Sequence, residues 1–173
     1  MHTEKSVTRA TTPVDVFFNW LAAVVTFLAH SVLVVLVSLV VLEVFLRSVF
    51  GTSLGFVEEV TGYLVVAITL FGAALAVRSD SLFKVQVIFD AFPSSLRRIL
   101  RVLFALIGLA ICLVFICKTS LLVDSSFSRG KFAPTVLNTP LWIPQLIMPI
   151  GFSVIGLFLI EHILNVFRHT EGS

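Results

Sequence analysis

Charged residues are scarce in this 173-residue chain, at 13% of the sequence, where a soluble domain carries about a quarter. The longest polar stretches are the N-terminal tail, residues 1–12, and residues 124–131, and neither can enclose a hydrophobic core. This scarcity excludes a soluble domain. With a net charge of only +2 we also expect no nucleic-acid partner.

Cysteine is rarer still, since the chain has only two. Their spacing does not suit redox chemistry. Cys112 and Cys117 are five positions apart, a rise of about 7.5 Å on a helix, which exceeds the roughly 7 Å limit for a disulfide. A membrane thiol oxidase would need a C-x-x-C pair, which the sequence lacks. We therefore expect packing cysteines, no cofactor and no enzymatic activity.

Apolar residues are abundant instead, and they form four long runs. Mean hydropathy is +1.08, and a helix needs about 20 apolar residues to cross a hydrocarbon core. The sequence predicts an all-α integral membrane protein, a single domain of four transmembrane helices. The expected spans are residues 20–42, 60–77, 99–117 and 141–160. The first run is too long for a secretory signal peptide, and no A-x-A-like cleavage site follows it, so we expect it to be retained.

Basic residues predict the orientation, because cytoplasmic loops are enriched in Lys and Arg. The connection between the first two helices has only Arg47. The connection between the second and third has five basic residues: Arg78, Lys84, Arg97, Arg98 and Arg101. Both termini are therefore expected in the cytoplasm. Residues 82–92 alternate apolar and polar side chains, which suits either a short cytoplasmic segment lying at the membrane interface or an extended loop with apolar anchors.

Local signals mark several helix boundaries. Pro13 suits a first helical position, and the paired carboxylates of Glu58 and Glu59 suit the positive end of helix 2. Pro149 lacks an N–H group, so we expect a bend near Gln145 in the fourth helix. Trp142 suits the membrane interface. Where the third helix ends is not fixed by the sequence.

The histidines are the first candidates for a function within the membrane. His30 lies well inside helix 1, and an ionisable residue there is a functional candidate. Haem ligation with His162 is disfavoured, because the two residues are expected at very different depths. The preferred interpretation of His30 is a neutral imidazole hydrogen-bonded between helices.

Carboxylates near the helix ends favour structural pairing over proton transfer. Glu43 and Arg47 have the (i, i+4) spacing of an ion pair, and Glu43 is too near the helix end for a mid-membrane proton carrier. Glu161 beside His162 suits a snorkelling pair at the aqueous boundary.

Helix 2 contains a pattern for close helix packing. Gly72 and Ala76 are a small-xxx-small pair, which lets a second helix approach. The approaching helix could belong to this chain or to another subunit, and both interpretations stay open here.

Five short blocks together resemble the small membrane subunit (Q-type) of tripartite ATP-independent periplasmic (TRAP) transporters. The blocks are residues 47–51 (RSVFG), 58–64 (EEVTGYL), 71–78 (FGAALAVR), 139–145 (TPLWIPQ) and 147–152 (IMPIGF). Their candidate helix-packing and motif positions are Glu58, Glu59, Tyr63, Gly72, Ala76, Arg78, Trp142, Pro144, Pro149 and Gly151. One departure is the stretch after Arg78, where the family often has a histidine and this chain has none.

The resemblance implies a multi-pass subunit of the bacterial inner membrane, surrounded by membrane lipids, with two protein partners. These are a large multi-helix membrane subunit and a periplasmic substrate-binding protein that delivers an organic acid for sodium-driven uptake. The ion and substrate sites would belong to the large subunit. Expected contacts for the binding protein are Arg47, Arg129 and Lys131, on the side predicted to be periplasmic.

Three other functions stay open from the sequence alone, and one of them is a purely structural membrane protein unrelated to transport. A membrane anchor of a redox complex would need haem or quinone ligands. A self-sufficient small transporter would need to form an oligomeric pore.

Overall fold

A computed structural model of the chain describes residues 13–79, 94–135 and 137–168. Five helices are present in these ranges: α1 (Pro13–Phe50), α2 (Val57–Arg78), α3 (Ser94–Ser128), α4 (Trp142–Gln145) and α5 (Ile147–Arg168). The N-terminal tail and the predicted interfacial segment, residues 82–92, lie outside the described residues.

Four spans in the described part of the chain are long and apolar enough to cross a membrane, with α4 and α5 together forming the fourth. The expected all-α membrane fold with four spans is confirmed. The outer helices are much longer than a bilayer requires. α1 has 38 residues and α3 has 35, which correspond to about 57 Å and 52 Å against a hydrocarbon core of about 30 Å.

The helices pack as a row in the order α1, α2, α5, α3. Each outer helix contacts its neighbour through one seam in which residues recur every three or four positions. On α1 the buried and half-buried seam is Phe18, Ala22, Val25, Ala29, Val32, Leu36 and Leu39. On α3 it is Ala105, Leu109, Cys112, Ile116, Thr119, Val123 and Ser126. This heptad spacing is typical of left-handed helix packing, and it leaves most of each outer helix facing outward.

The two inner helices approach most closely at Gly151 of α5. A Cβ atom placed on Gly151 would lie 2.7 Å from Cβ of Leu70 on α2, which is closer than real Cβ atoms come. The absence of a side chain at Gly151 therefore lets α2 and α5 meet.

The fourth span is interrupted at Leu146, between α4 and α5. Pro149 has no N–H group to donate to the carbonyl of Gln145, so the helical ladder loses a bond at this point. The interruption lies where Pro149 predicts one. Pro144 lies within the short α4, where the missing N–H costs little.

Candidate interaction surfaces at the ends of the helix row

Arg78 joins three helices at one end of the row, which we call the Arg78 end. Its Nε donates to Glu161 Oε2 of α5 at 3.1 Å, and its Nη2 donates to Asn19 Oδ1 of α1 at 2.5 Å. The guanidinium carbon also lies 5.7 Å from the centroid of the buried Phe158 ring. The planar fork of arginine bonds the two acceptors through two different nitrogens, whereas a lysine has one nitrogen on a shorter side chain.

This cluster differs from the pairing that the sequence suggested for Glu161. Glu161 pairs with Arg78, and this is the one salt bridge within the described residues. The Arg78 and Glu161 side chains are only 25% and 15% exposed, so water competes weakly with the contact. Successive side chains of a helix point in directions about 100° apart. Glu161 therefore faces α2, and the adjacent His162 points in another direction.

At the opposite end of the row, which we call the Glu43 end, the carboxylate of Glu43 joins α1 to the α1–α2 connection. Glu43 accepts hydrogen bonds from the Ser53 hydroxyl at 2.5 Å and the Leu54 backbone N–H at 2.9 Å. Glu43 and Arg47, both in the described range of α1, do not form the ion pair that their spacing predicts. Free N–H and O–H donors in the α1–α2 connection satisfy Glu43 instead, and Arg47 is left exposed.

Glu59 lies beneath the loop between α3 and α4. Its Oε1 accepts a hydrogen bond from the Tyr63 hydroxyl at 2.7 Å, one turn further along α2. The hydroxyls of Thr135 and Thr139 in the loop also lie close to this carboxylate, although Oε2 is buried with no hydrogen-bond partner of good geometry. Glu58 is exposed. The two adjacent carboxylates therefore have different surroundings.

The loop from Arg129 to Leu141 presents two of the three predicted cationic contacts. It is closed by backbone hydrogen bonds from Ala133 to Thr139 and from Leu141 to Lys131, and Arg129 and Lys131 are both exposed. Beside them Phe127 is 65% exposed, and its ring meets Trp142 edge to face with centroids 5.7 Å apart. The loop thus presents two positive charges beside aromatic rings, while the carboxylates of Glu58 and Asp124 are exposed at the same end.

The outward face of α2 has little side-chain bulk apart from Val65, which is 46% exposed. Gly62, Thr69 and Gly72 recur at helical spacing and are exposed, and a Cβ added at either glycine meets nothing within 4 Å. Ala76 is half-buried. Close packing inside this chain therefore uses Gly151, and the face containing Gly72 is open to a second protein.

The remaining candidates are spread along the helices. Cys112 is buried, Cys117 is exposed, and both thiols are free. His30 is exposed on α1, where its ring Nδ1 lies 2.7 Å from the Thr26 carbonyl oxygen one turn earlier. Within the described residues the ring bonds to its own helix, and no bond from His30 to another helix of this chain is formed. No metal-binding group of three or more His, Cys, Asp or Glu occurs in the described ranges.

The sequence analysis missed the three-helix cluster at Arg78. A signal was available, because Asn19, Arg78 and Glu161 all lie at one end of their predicted spans, where side chains of opposite charge attract. What the sequence could not supply is the rotation of each helix about its axis, which decides the partners.

Comparison with known proteins identifies two similarities. Residues 36–169 match the family model described as tripartite ATP-independent periplasmic transporters, DctQ component. The ectoine TRAP transporter small permease protein TeaB of Halomonas elongata is 28% identical over 121 residues. That alignment covers 69% of this chain and 62% of the relative, so this chain spans less than two thirds of the relative's length.

Proposed function

The chain belongs to the DctQ family of tripartite ATP-independent periplasmic transporters, and we propose that it holds the large membrane subunit of such a transporter in the bilayer. The observation that carries this proposal is the family match over residues 36–169, which includes the end of α1 and all of α2 and α5. The family consists of transporters and not of enzymes, in keeping with the surfaces described above.

A scaffold fits the way this chain uses its polar side chains. An ion or substrate pathway needs polar groups that line a cavity and exchange partners. Arg78, Glu161 and Glu43 instead form fixed contacts within the row of helices. We therefore place the ion and substrate sites in the large subunit.

The open face of α2 is the proposed docking surface for that subunit. Exposed glycines let helix backbones approach closely, which is how many membrane helices associate. Gly72 has room for a partner because nothing in the described part of this chain lies near it. We expect Gly72→Leu to reduce recovery of the large subunit in a pull-down, because the new side chain would separate the two helices.

The matched control for this variant is Ala110→Leu. Ala110 is an exposed small residue on α3, so the substitution adds a similar side chain to another outward face. It should leave recovery unchanged. Full recovery with Gly72→Leu would place the large subunit elsewhere.

The Glu43 end is the proposed docking site for the substrate-binding protein. Basic-residue counts put this end in the periplasm and both termini in the cytoplasm of a bacterial inner-membrane protein. Arg47, Arg129 and Lys131 are exposed there and would meet acidic groups of the binding protein. Complementary charge of this kind raises the association rate.

The transported solute is proposed from the family resemblance. Sodium-driven uptake of an organic acid is the first candidate. Ectoine is the second, because it is named for the relative from Halomonas elongata. Both solutes belong in the same uptake assay.

The experiment that tests the function is uptake with and without this chain. Deleting its coding sequence should abolish uptake that depends on the binding protein, and expression from a plasmid should restore it. The purified chain alone in liposomes should show no flux. Normal uptake in the deletion strain, or flux through the chain alone, would contradict the scaffold proposal.

A further inference from the structure

His30 lies at mid-depth in the membrane. It is 11 residues from Asn19 and 13 from Glu43, which mark the two polar ends of the row, so it is about 16 Å and 20 Å along α1 from them. A hydrocarbon core is about 30 Å thick, and an imidazole is too short to reach either face. His30 is therefore surrounded by apolar material.

The ring of His30 points away from its own bundle. Its side chain is exposed, whereas the seam of α1 that packs on α2 contains Ala29 and Val32. Ala23, Val34 and Val41 share its outward face at helical spacing, and Val34 is 64% exposed. The same outward side of α1 also has the exposed Ser38, and an imidazole on a mostly apolar face is expensive to leave in lipid.

The hydrogen bond to Thr26 fixes which ring nitrogen carries the proton. A carbonyl oxygen only accepts, so Nδ1, 2.7 Å from it, is the donor. In the neutral imidazole Nε2 is then an acceptor with an outward lone pair. The described residues provide no donor for it.

We propose that His30 Nε2 accepts a hydrogen bond from a donor side chain on a helix of the large membrane subunit, which extends the docking surface from α2 onto α1. The inference rests on the proposed function, because it needs that partner. Acyl chains have no donor. A second copy of this chain packed symmetrically at this position would bring the same nitrogen against it, and two acceptors cannot bond to each other. A second copy packed in another way is an outcome that the cross-linking below separates.

Two substitutions separate the hydrogen bond from the shape of the side chain. His30→Leu removes the acceptor, and interhelical hydrogen bonds in membranes correspond to about a two- to tenfold change in affinity. We expect a loss of this size in large-subunit recovery after detergent extraction. His30→Gln keeps an acceptor oxygen at similar reach and should stay within about twofold of the wild type.

Cross-linking in native membranes identifies the occupant directly. A photoreactive p-benzoylphenylalanine at position 30 should link to the large subunit, while the same residue at Val114, exposed on α3, should give a weaker link or none. Links only to lipid or to a second copy would overturn the inference, as would equal recovery for the Leu and Gln variants. If the wild-type chain still recovers the large subunit in the same experiment, only the inference about His30 is contradicted. If it recovers no large subunit, both that inference and the proposed function are contradicted.

Discussion

Gly151 and Gly156 lie on the same helix and differ in what an added methyl group would meet. At Gly151 the new Cβ would lie 2.7 Å from Leu70 Cβ, close to the backbone of α2, which cannot move aside as a flexible side-chain end can. At Gly156 the nearest atom is 3.7 Å away, an ordinary contact. The two positions therefore make a matched pair for substitution by alanine.

We expect Gly151→Ala to lower the free energy of unfolding by about 1–3 kcal/mol, because α2 and α5 must separate to admit the methyl group. Gly156→Ala should be neutral or stabilising, since alanine favours a helix over glycine by about 1 kcal/mol. SDS titration followed by circular dichroism measures both. Equal stability of the two variants would contradict the close approach at Gly151.

Single residues also show where sequence reasoning stops. The sequence placed Gly151 in a family motif and Gly72 in a packing pattern, but it could not say which glycine lies at the contact between α2 and α5. Similarly, the (i, i+4) spacing of Glu43 and Arg47 would allow an ion pair. In the structure the Glu43 carboxylate instead accepts hydrogen bonds from Ser53 and Leu54 in the connection to α2. Such choices depend on helix rotation and loop geometry, which no local pattern contains.

The Arg78 cluster links three helices, and mutations can separate the contributions of Arg78 and Glu161 to stability. Arg78→Lys keeps the charge but replaces two separate donor nitrogens with one nitrogen on a shorter side chain, so we expect a loss of about 1–2 kcal/mol in stability. Glu161→Gln removes the charge and should cost a similar amount. The double variant should cost less than the two single losses combined, with a coupling of at least about 0.5 kcal/mol.

The same SDS titration measures this double-mutant cycle. Lys118→Arg is the control for the exchange of one cation for another, because Lys118 is exposed on α3. Strictly additive losses for Arg78 and Glu161 would mean that their contact contributes nothing measurable to helix association.

Helix existence was predictable from the apolar runs and the start of α1 from Pro13, whereas the C-terminal ends of α1 and α3 were not. The apolar run 20–42 became α1, Pro13–Phe50, because a helix continues past the bilayer as long as its backbone hydrogen bonds are satisfied. The third run likewise continued through Asp124 to Ser128. Hydropathy detects the part of a helix that must be apolar, and caps and loops decide where it ends.

Exposed cations lie in the loop between α3 and α4 at the Glu43 end, and the proposal that a binding protein docks there makes a charge prediction. Arg129→Glu combined with Lys131→Glu should reduce uptake several-fold at limiting binding protein, because like charges slow the encounter. Added salt should slow the wild type and narrow the difference, since charges are screened within about 10 Å at 0.1 M. Unchanged uptake at low salt would move the docking site away from this loop.

The class of the protein was predictable, because composition and the order of the motifs can be read directly from the sequence. Four apolar runs fixed the all-α membrane fold, and the blocks at residues 47–51 and 139–152 indicated the family. The order α1, α2, α5, α3 was not predictable, because apolar helices carry no label for their neighbours. The partner-facing surfaces depend on that order, so they required the structure.

The most direct test of the scaffold account is the composition of the complex. The chain would be tagged at its C-terminus and extracted gently from its native membrane, and the recovered proteins would be identified and quantified by mass spectrometry. The account predicts a large multi-helix membrane protein in stoichiometric amount. Recovery of this chain alone, even after cross-linking in the membrane, would contradict it.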